Sequence, residues 1–81
     1  MTVTVKFWSY FRDLTGCTQT TTSLPEGTTL GALHQKMIEQ FPKLAGTGNC
    51  TLKAVGVDYQ DDDHVLSDGD EVSLFPPVQG G

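Results

Sequence analysis

The chain has 81 residues, with ten acidic against five basic side chains and a formal net charge of −5 at pH 7. A chain of this size forms one domain that buries only about 60–65 % of its unfolded surface, enough for one sheet and one or two helices but not for an enclosed cofactor cavity. That argues against a self-sufficient enzyme. The charge is also uneven: residues 1–53 carry five basic and three acidic side chains, whereas residues 54–81 carry seven acidic ones and no Lys or Arg. Such a surface repels phosphate backbones, so nucleic acid is not an expected partner and a basic protein surface is the more natural one.

The opening segment MTVTVKFW lacks the basic start and apolar run of a signal peptide, and no stretch is long enough to span a membrane, so a soluble, cytoplasmic protein without a membrane partner is expected. TVTVKFWSY alternates, placing Val3, Val5 and Phe7 on one face of a strand and Thr4, Lys6 and Trp8 on the other. RDLTGC then turns at Gly16, and the threonine-rich TQTTTSL reads as a second strand completing a hairpin. LPEGTT offers a Thr N-cap for LGALHQKMIEQF, in which Leu30, Leu33, Met37, Ile38 and Phe41 form an apolar stripe ended by Pro42. His34 falls beside the stripe and is read as a boundary histidine, since no second ligand is in view.

PKLAGTGN reads as a loop, CTLKAVGV as a strand, DYQDDDHVLSDGD as a polar excursion with a turn at Asp68–Gly69–Asp70, and EVSLF as the last strand. The expected fold is therefore α+β, a mixed sheet covered by one main helix. The run Asp61 to His64 supplies hard ligands but not the spacing of a calcium loop, and it reads as solvated. Cys17 and Cys50 have no CxxC or Cys/His companions and read as ordinary reduced thiols. No metal site, catalytic triad or phosphate-cradling loop is indicated.

The chain ends in FPPVQGG. Pro76 and Pro77 favour an extended exit from the last strand, so Phe75 to Gly81 can reach up to ~20 Å at ~3.3 Å per residue. Gly80 and Gly81 make the tip narrow enough for a channel that any other residue would block. Its only functional group is a carboxylate, a poor electrophile until a partner enzyme activates it with ATP.

FRDLTG after the first strand, TTLGALHQKMIEQFP as the helix, AVGV, and above all LSDGDEVSLFPPVQGG resemble the MoaD/ThiS family of sulfur carriers with the ubiquitin-like β-grasp fold, and within it the small subunits of molybdopterin synthase. The resemblance covers essentially the whole chain, and the terminal DGDEVxxFPPVxGG is its specific element. One departure is Gly56, where members of the family commonly carry Asn in an AVN segment.

The resemblance implies a β-grasp domain over residues 1–75 and a sulfur-carrying tail over 76–81. An activating enzyme would adenylate the Gly81 carboxylate and a sulfur donor would convert it to a thiocarboxylate. Pro76, Pro77, Val78, Gln79 and Gly80 would then enter the active site of a large synthase subunit, in a heterotetramer, where sulfur passes to a cyclic pyranopterin precursor. The chain would bind no cofactor of its own and act as a co-substrate, with ATP used by the activating enzyme. If the first and last strands are neighbours, Trp8, Tyr59 and Phe75 should form an aromatic patch on the open face, a partner interface with Arg12 as a charged contact. Other readings stay open: a sulfur carrier for thiamine thiazole or a tungsten-type pterin, a ubiquitin-like protein modifier, or a β-grasp interaction module.

Overall fold

A computed structural model describes residues 1–76, with backbone only for 47–50; Pro77, Val78, Gln79, Gly80 and Gly81 lie outside the described residues. In chain order the elements are β1 (Thr2–Phe7), α1 (Phe11–Thr15), β2 (Gln19–Ser23), α2 (Leu30–Gln40), a 3-10 helix (Pro42–Cys50), β3 (Leu52–Val55), β4 (Asp58–Tyr59) and β5 (Glu71–Phe75). The sheet order is β2-β1-β5-β3-β4. Its centre is the parallel pair of β1 and β5, with Val5 opposite Val72 and Phe7 opposite Leu74, and its other pairings are antiparallel. This is the ubiquitin-like β-grasp arrangement, a mixed sheet with one main helix.

The alternation in β1 follows the expected faces: Val3, Val5 and Phe7 are buried together with Val72 and Leu74 of β5 and with Leu30, Leu33 and Met37 of α2. Ile38 and Phe41 lie at the margin of this core, and Phe41 meets Phe7 edge to face at 5.4 Å between ring centroids. The connections contribute more than their polar sequences suggest. Phe11, Leu24, Leu44 and Leu66 are all core residues although none belongs to the sheet or to α2.

Several elements differ from the sequence expectation. β1 ends at Phe7 and does not continue to Tyr10, because Ser9 takes a left-handed conformation with φ 54°. The chain then forms α1, which drives Phe11 into the core where only a turn was expected. PKLAGTGN is a 3-10 helix, not an open loop; Pro42 starts it, and Leu44 supplies the apolar contact that fastens it. The strand read from CTLKAVGV is shorter, Leu52–Val55. It stops at Gly56, whose φ of +62° reverses the chain into β4. That conformation explains the departure from the family pattern, since glycine and asparagine are the residues that enter the left-handed region most readily.

The polar excursion after β4 keeps Asp61, Asp62 and Asp63 exposed, as expected, while its backbone forms a strap across the start of α2. Thr29 caps the helix with its hydroxyl, which accepts from the Ala32 N–H at 3.2 Å. The Leu30 and Gly31 N–H groups donate to the carbonyls of His64 and Asp62 at 2.8 and 2.9 Å. Helix-terminal donors that would otherwise need water are thereby satisfied by the strap. The approach is close: a Cβ on Gly31 would come within 2.8 Å of the Asp62 Cβ.

A polar contact fastens the same strap to the sheet. Lys53 projects from β3 toward α2, pairs with Asp62 at 3.0 Å and lies 3.4 Å from Nδ1 of His34. An ammonium group can only donate, so Nδ1 accepts and the ring proton sits on Nε2. His34 is buried, at 6 % exposure, and is not the boundary residue expected from its position beside the stripe. Burial holds its pKa below the ordinary 6.5; the Lys53 charge acts in the same direction, and Asp62 opposes them.

Two stability measurements check this account. Gly31→Ala should lower stability by ~1–3 kcal/mol in urea unfolding, because backbone and Cβ atoms of the strap must shift, whereas Gly56→Asn should be nearly neutral. Because the folded state resists protonating His34, its contribution is complete above the unfolded value of 6.5 and is lost as pH falls below it toward the lower folded value. His34→Gln should therefore flatten the decline in stability between about pH 7 and 5 relative to the parent chain.

Candidate functional site

The register of the sheet decides which side chains share the face turned away from α2. On β5, Val72 and Leu74 face the core, so Glu71, Ser73 and Phe75 face outward. Leu52 is opposite Phe75, Ala54 is opposite Ser73 on one side and Tyr59 on the other, and Lys6 is opposite Ser73. Partners in register point the same way, so Leu52, Ala54 and Tyr59 join Phe75 on the outer face.

The structure brings Trp8, Phe75 and Tyr59 together there. The Trp8 and Phe75 rings stack with centroids 5.7 Å apart and an interplanar angle of 12°. Tyr59 meets the other side of the cluster, 6.2 Å from Phe75 at 61°. Trp8 is 43 % exposed and Tyr59 68 %, so the patch presents aromatic surface to solvent. Ala54 and Ser73 are buried although they lie on this face. Leu52, 38 % exposed, extends the patch. Sequence reading missed it because its facing depends on its register with Phe75, which alternation within β3 does not reveal.

Trp8 is held by its backbone as well as its ring. Its N–H donates to the Leu74 carbonyl at 3.2 Å, continuing the parallel ladder one residue past β1. Ser9 then turns the chain, a conformation that costs a non-glycine residue roughly 1–2 kcal/mol. Arg12 braces the turn: its backbone N–H and its side-chain Nε donate to the Ser9 carbonyl at 3.2 and 3.3 Å. The guanidinium, exposed as a partner contact requires, is therefore also part of the structure that displays Trp8. Arg12, Lys6, Trp8 and Gln19 line a shallow depression of ≈ 190 Å³ beside the patch.

Polar residues complete the outer face. Lys6 pairs with Glu71 at 2.8 Å, an exposed contact worth little on its own, and Thr4, Gln19 and Thr21 continue it toward the β2 edge. The apolar part is thus confined to the side of the sheet where β5 ends. From Phe75 the chain passes to Pro76, half-buried at the edge of the patch; the remaining tail residues expected to act in a partner, Pro77 to Gly81, lie outside the described residues. Among the described residues no group of His, Cys, Asp and Glu is arranged to hold a metal ion, and no helix is long and apolar enough to cross a membrane.

Comparison with known proteins places this geometry in a family. The ThiS family model matches residues 5–81, which includes the terminal glycines. The molybdopterin synthase sulfur carrier subunit of Escherichia coli (strain K12) is 40 % identical over 81 residues, covering 98 % of this chain and 99 % of that protein. Two solved structures share the fold at lower identity. SAMP1 from Haloferax volcanii superposes with a TM-score of 0.89 at 19 % identity, with full coverage of both chains. A chain from the complex of subunits 1 and 2 of the molybdopterin-converting factor of Helicobacter pylori superposes with a TM-score of 0.71 at 24 % identity, again over the whole of both chains. The match runs from the middle of β1 to Gly81, and on that ground the chain belongs to the ThiS family, the MoaD/ThiS group of ubiquitin-like sulfur carriers.

Proposed function

We propose that this chain is the sulfur carrier subunit of a molybdopterin synthase. The observation that carries the reading is the coincidence of a Gly-Gly terminus, inside the family match, with an exposed aromatic patch at the root of the tail that bears it. The 40 % identity to the Escherichia coli sulfur carrier subunit supports the choice of pathway. The Helicobacter pylori complex, in which subunit 1 is bound to subunit 2, supports a large-subunit partner.

The chemistry follows from a terminal carboxylate. One oxygen of the Gly81 carboxylate attacks the α-phosphorus of ATP on an activating enzyme; pyrophosphate leaves and an acyl adenylate forms. The terminal sulfur of a persulfide donor then attacks the acyl carbon and AMP leaves with its electron pair; a thiol reductant attacks the donor's sulfur in the resulting acyl disulfide, forming a disulfide with the donor and releasing the terminus as a thiocarboxylate. Its sulfur attacks a carbon of the pyranopterin precursor in the large subunit, and an oxygen substituent leaves that carbon with its electron pair as the C–S bond forms. Hydrolysis of the resulting acyl–sulfur bond leaves the sulfur on the pterin and regenerates the carboxylate for another round. Nothing in this cycle requires a general base on the carrier itself.

The second reading, a protein modifier, has in its favour the fold similarity to SAMP1, small archaeal modifier protein 1 of Haloferax volcanii. Both readings begin with adenylation and differ in the acceptor, a sulfur nucleophile or a lysine amine. Mass spectrometry of the chain recovered from cells separates them: a carrier gains the difference between sulfur and oxygen, and a modifier appears as conjugates.

Deleting Gly81 should leave the melting temperature unchanged and abolish sulfur transfer in a reconstituted synthase; full activity would refute the role of the tail. Gly80→Val should also fail although its carboxylate remains, and normal turnover by that variant would show that the partner's channel is wide. Trp8→Ala and Phe75→Ala should each weaken binding to the large subunit by ~2 kcal/mol or more, about 30-fold. In calorimetry their thermal stability should fall by less than the ~3–5 kcal/mol of a buried aromatic truncation.

A further inference from the structure

Among the described residues Phe75 is the last in register with another strand, opposite Leu52. Pro76 follows and has no N–H to extend the ladder. The strand register among the described residues therefore ends at the root of the tail, and whatever holds the Phe75 ring holds that root. Two rings hold it: Trp8 stacks on it at 12°, and Tyr59 approaches edgewise at 61°. Each ring is anchored by a different part of the fold. Trp8 is fixed by its bond to the Leu74 carbonyl and by the left-handed Ser9 turn that Arg12 braces. Tyr59 is fixed by its register with Ala54 on the short β4.

We propose that Tyr59 and Trp8 form a clamp on Phe75 that aims the tail, and that Tyr59 is a positioning residue for sulfur transfer in addition to any contact with the partner. This rests on the proposed function. Its physical basis is leverage. From Pro76 to Gly81 the chain reaches up to ~20 Å when extended, so a swing of about 10° at the root displaces the tip by ~3 Å. Misplacing a reacting atom by ~1 Å is enough to slow a step by up to ~100-fold. A carrier whose reactive atom lies at the end of an arm gains most from rigidity at the arm's base. A two-residue β4 that presents one highly exposed tyrosine is accounted for by this role.

The test uses Tyr59→Leu and Tyr59→Phe in the full chain, with two readouts. In the free protein, Trp8 is the only tryptophan, so its emission and the ring-current shifts of the Phe75 ring protons report the clamp directly. Tyr59→Leu should move both, and Tyr59→Phe should restore them. In the reconstituted synthase, single-turnover sulfur transfer from charged carrier is measured at saturating large subunit. Tyr59→Leu should remain about tenfold or more below the parent rate at saturation, with Tyr59→Phe recovering most of it. A rate restored by saturating partner would show that Tyr59 is only a binding contact and would overturn the proposal, as would unchanged Phe75 and Trp8 signals in Tyr59→Leu. If the parent chain carries no thiocarboxylate, the sulfur-carrier reading falls, and the free-chain spectra still decide whether the clamp exists.

Discussion

The parallel pairing of β1 with β5 is the constraint on which the rest of the molecule depends. It joins the two ends of the sequence at the centre of the sheet, with Val5 against Val72 and Phe7 against Leu74. Both strands lend their alternate residues to one core, which α2 closes. The same pairing sets what lies on the opposite face: Trp8 continues past the end of β1 by donating to Leu74, and so reaches the ring of Phe75. An aromatic surface beside the start of the C-terminal tail is thus a by-product of the core's register. Shifting that register by one residue would bury the charged face and expose the apolar one, so the core and the patch are specified together.

The second organising feature is the strap from Asp61 to Leu66. Its acidic composition suggests solvent, yet its backbone carbonyls cap α2, its leucine enters the core and one of its carboxylates meets Lys53. A small domain has little apolar surface to bury, and segments that pair polar groups while contributing one core side chain make up part of the difference. The cluster of His34, Lys53 and Asp62 joins helix, sheet and strap at one point.

On the outer face, function follows from an uneven distribution of side chains. Threonines and the Lys6–Glu71 pair occupy the half nearer β2, and Trp8, Leu52, Tyr59 and Phe75 occupy the half nearer the tail. The proposed interface rests on this patch, because exposed aromatic surface is costly to leave in water and contributes nothing to the core. In the proposed function its position would couple recognition to chemistry, since a partner covering the patch would have the base of the tail at the edge of the contact. The acidic second half of the chain adds a surface suited to a basic partner.

Much of this was legible in the sequence because it rests on local periodicity. The faces of β1 and β5, the stripe and the Thr29 cap of α2 and the turn at Asp68–Gly69–Asp70 all follow from the spacing of residues near one another in the chain. The sequence also carried the family resemblance, in LSDGDEVSLFPPVQGG above all, within the span that the ThiS family model matches. What only the tertiary structure decided depends on distant residues meeting. Alternation within β3 cannot say that Leu52 faces Phe75, a polar run cannot announce that its carbonyls cap a helix, and His34 is buried because Lys53 and Asp62 arrive from elsewhere. Short elements such as α1 and the 3-10 helix were missed because a single core side chain, Phe11 or Leu44, stabilises each through a contact outside its own segment. The physical reason is the same throughout: periodicity reports which way a side chain points along its own element, while pairing register and long-range burial decide what it meets there.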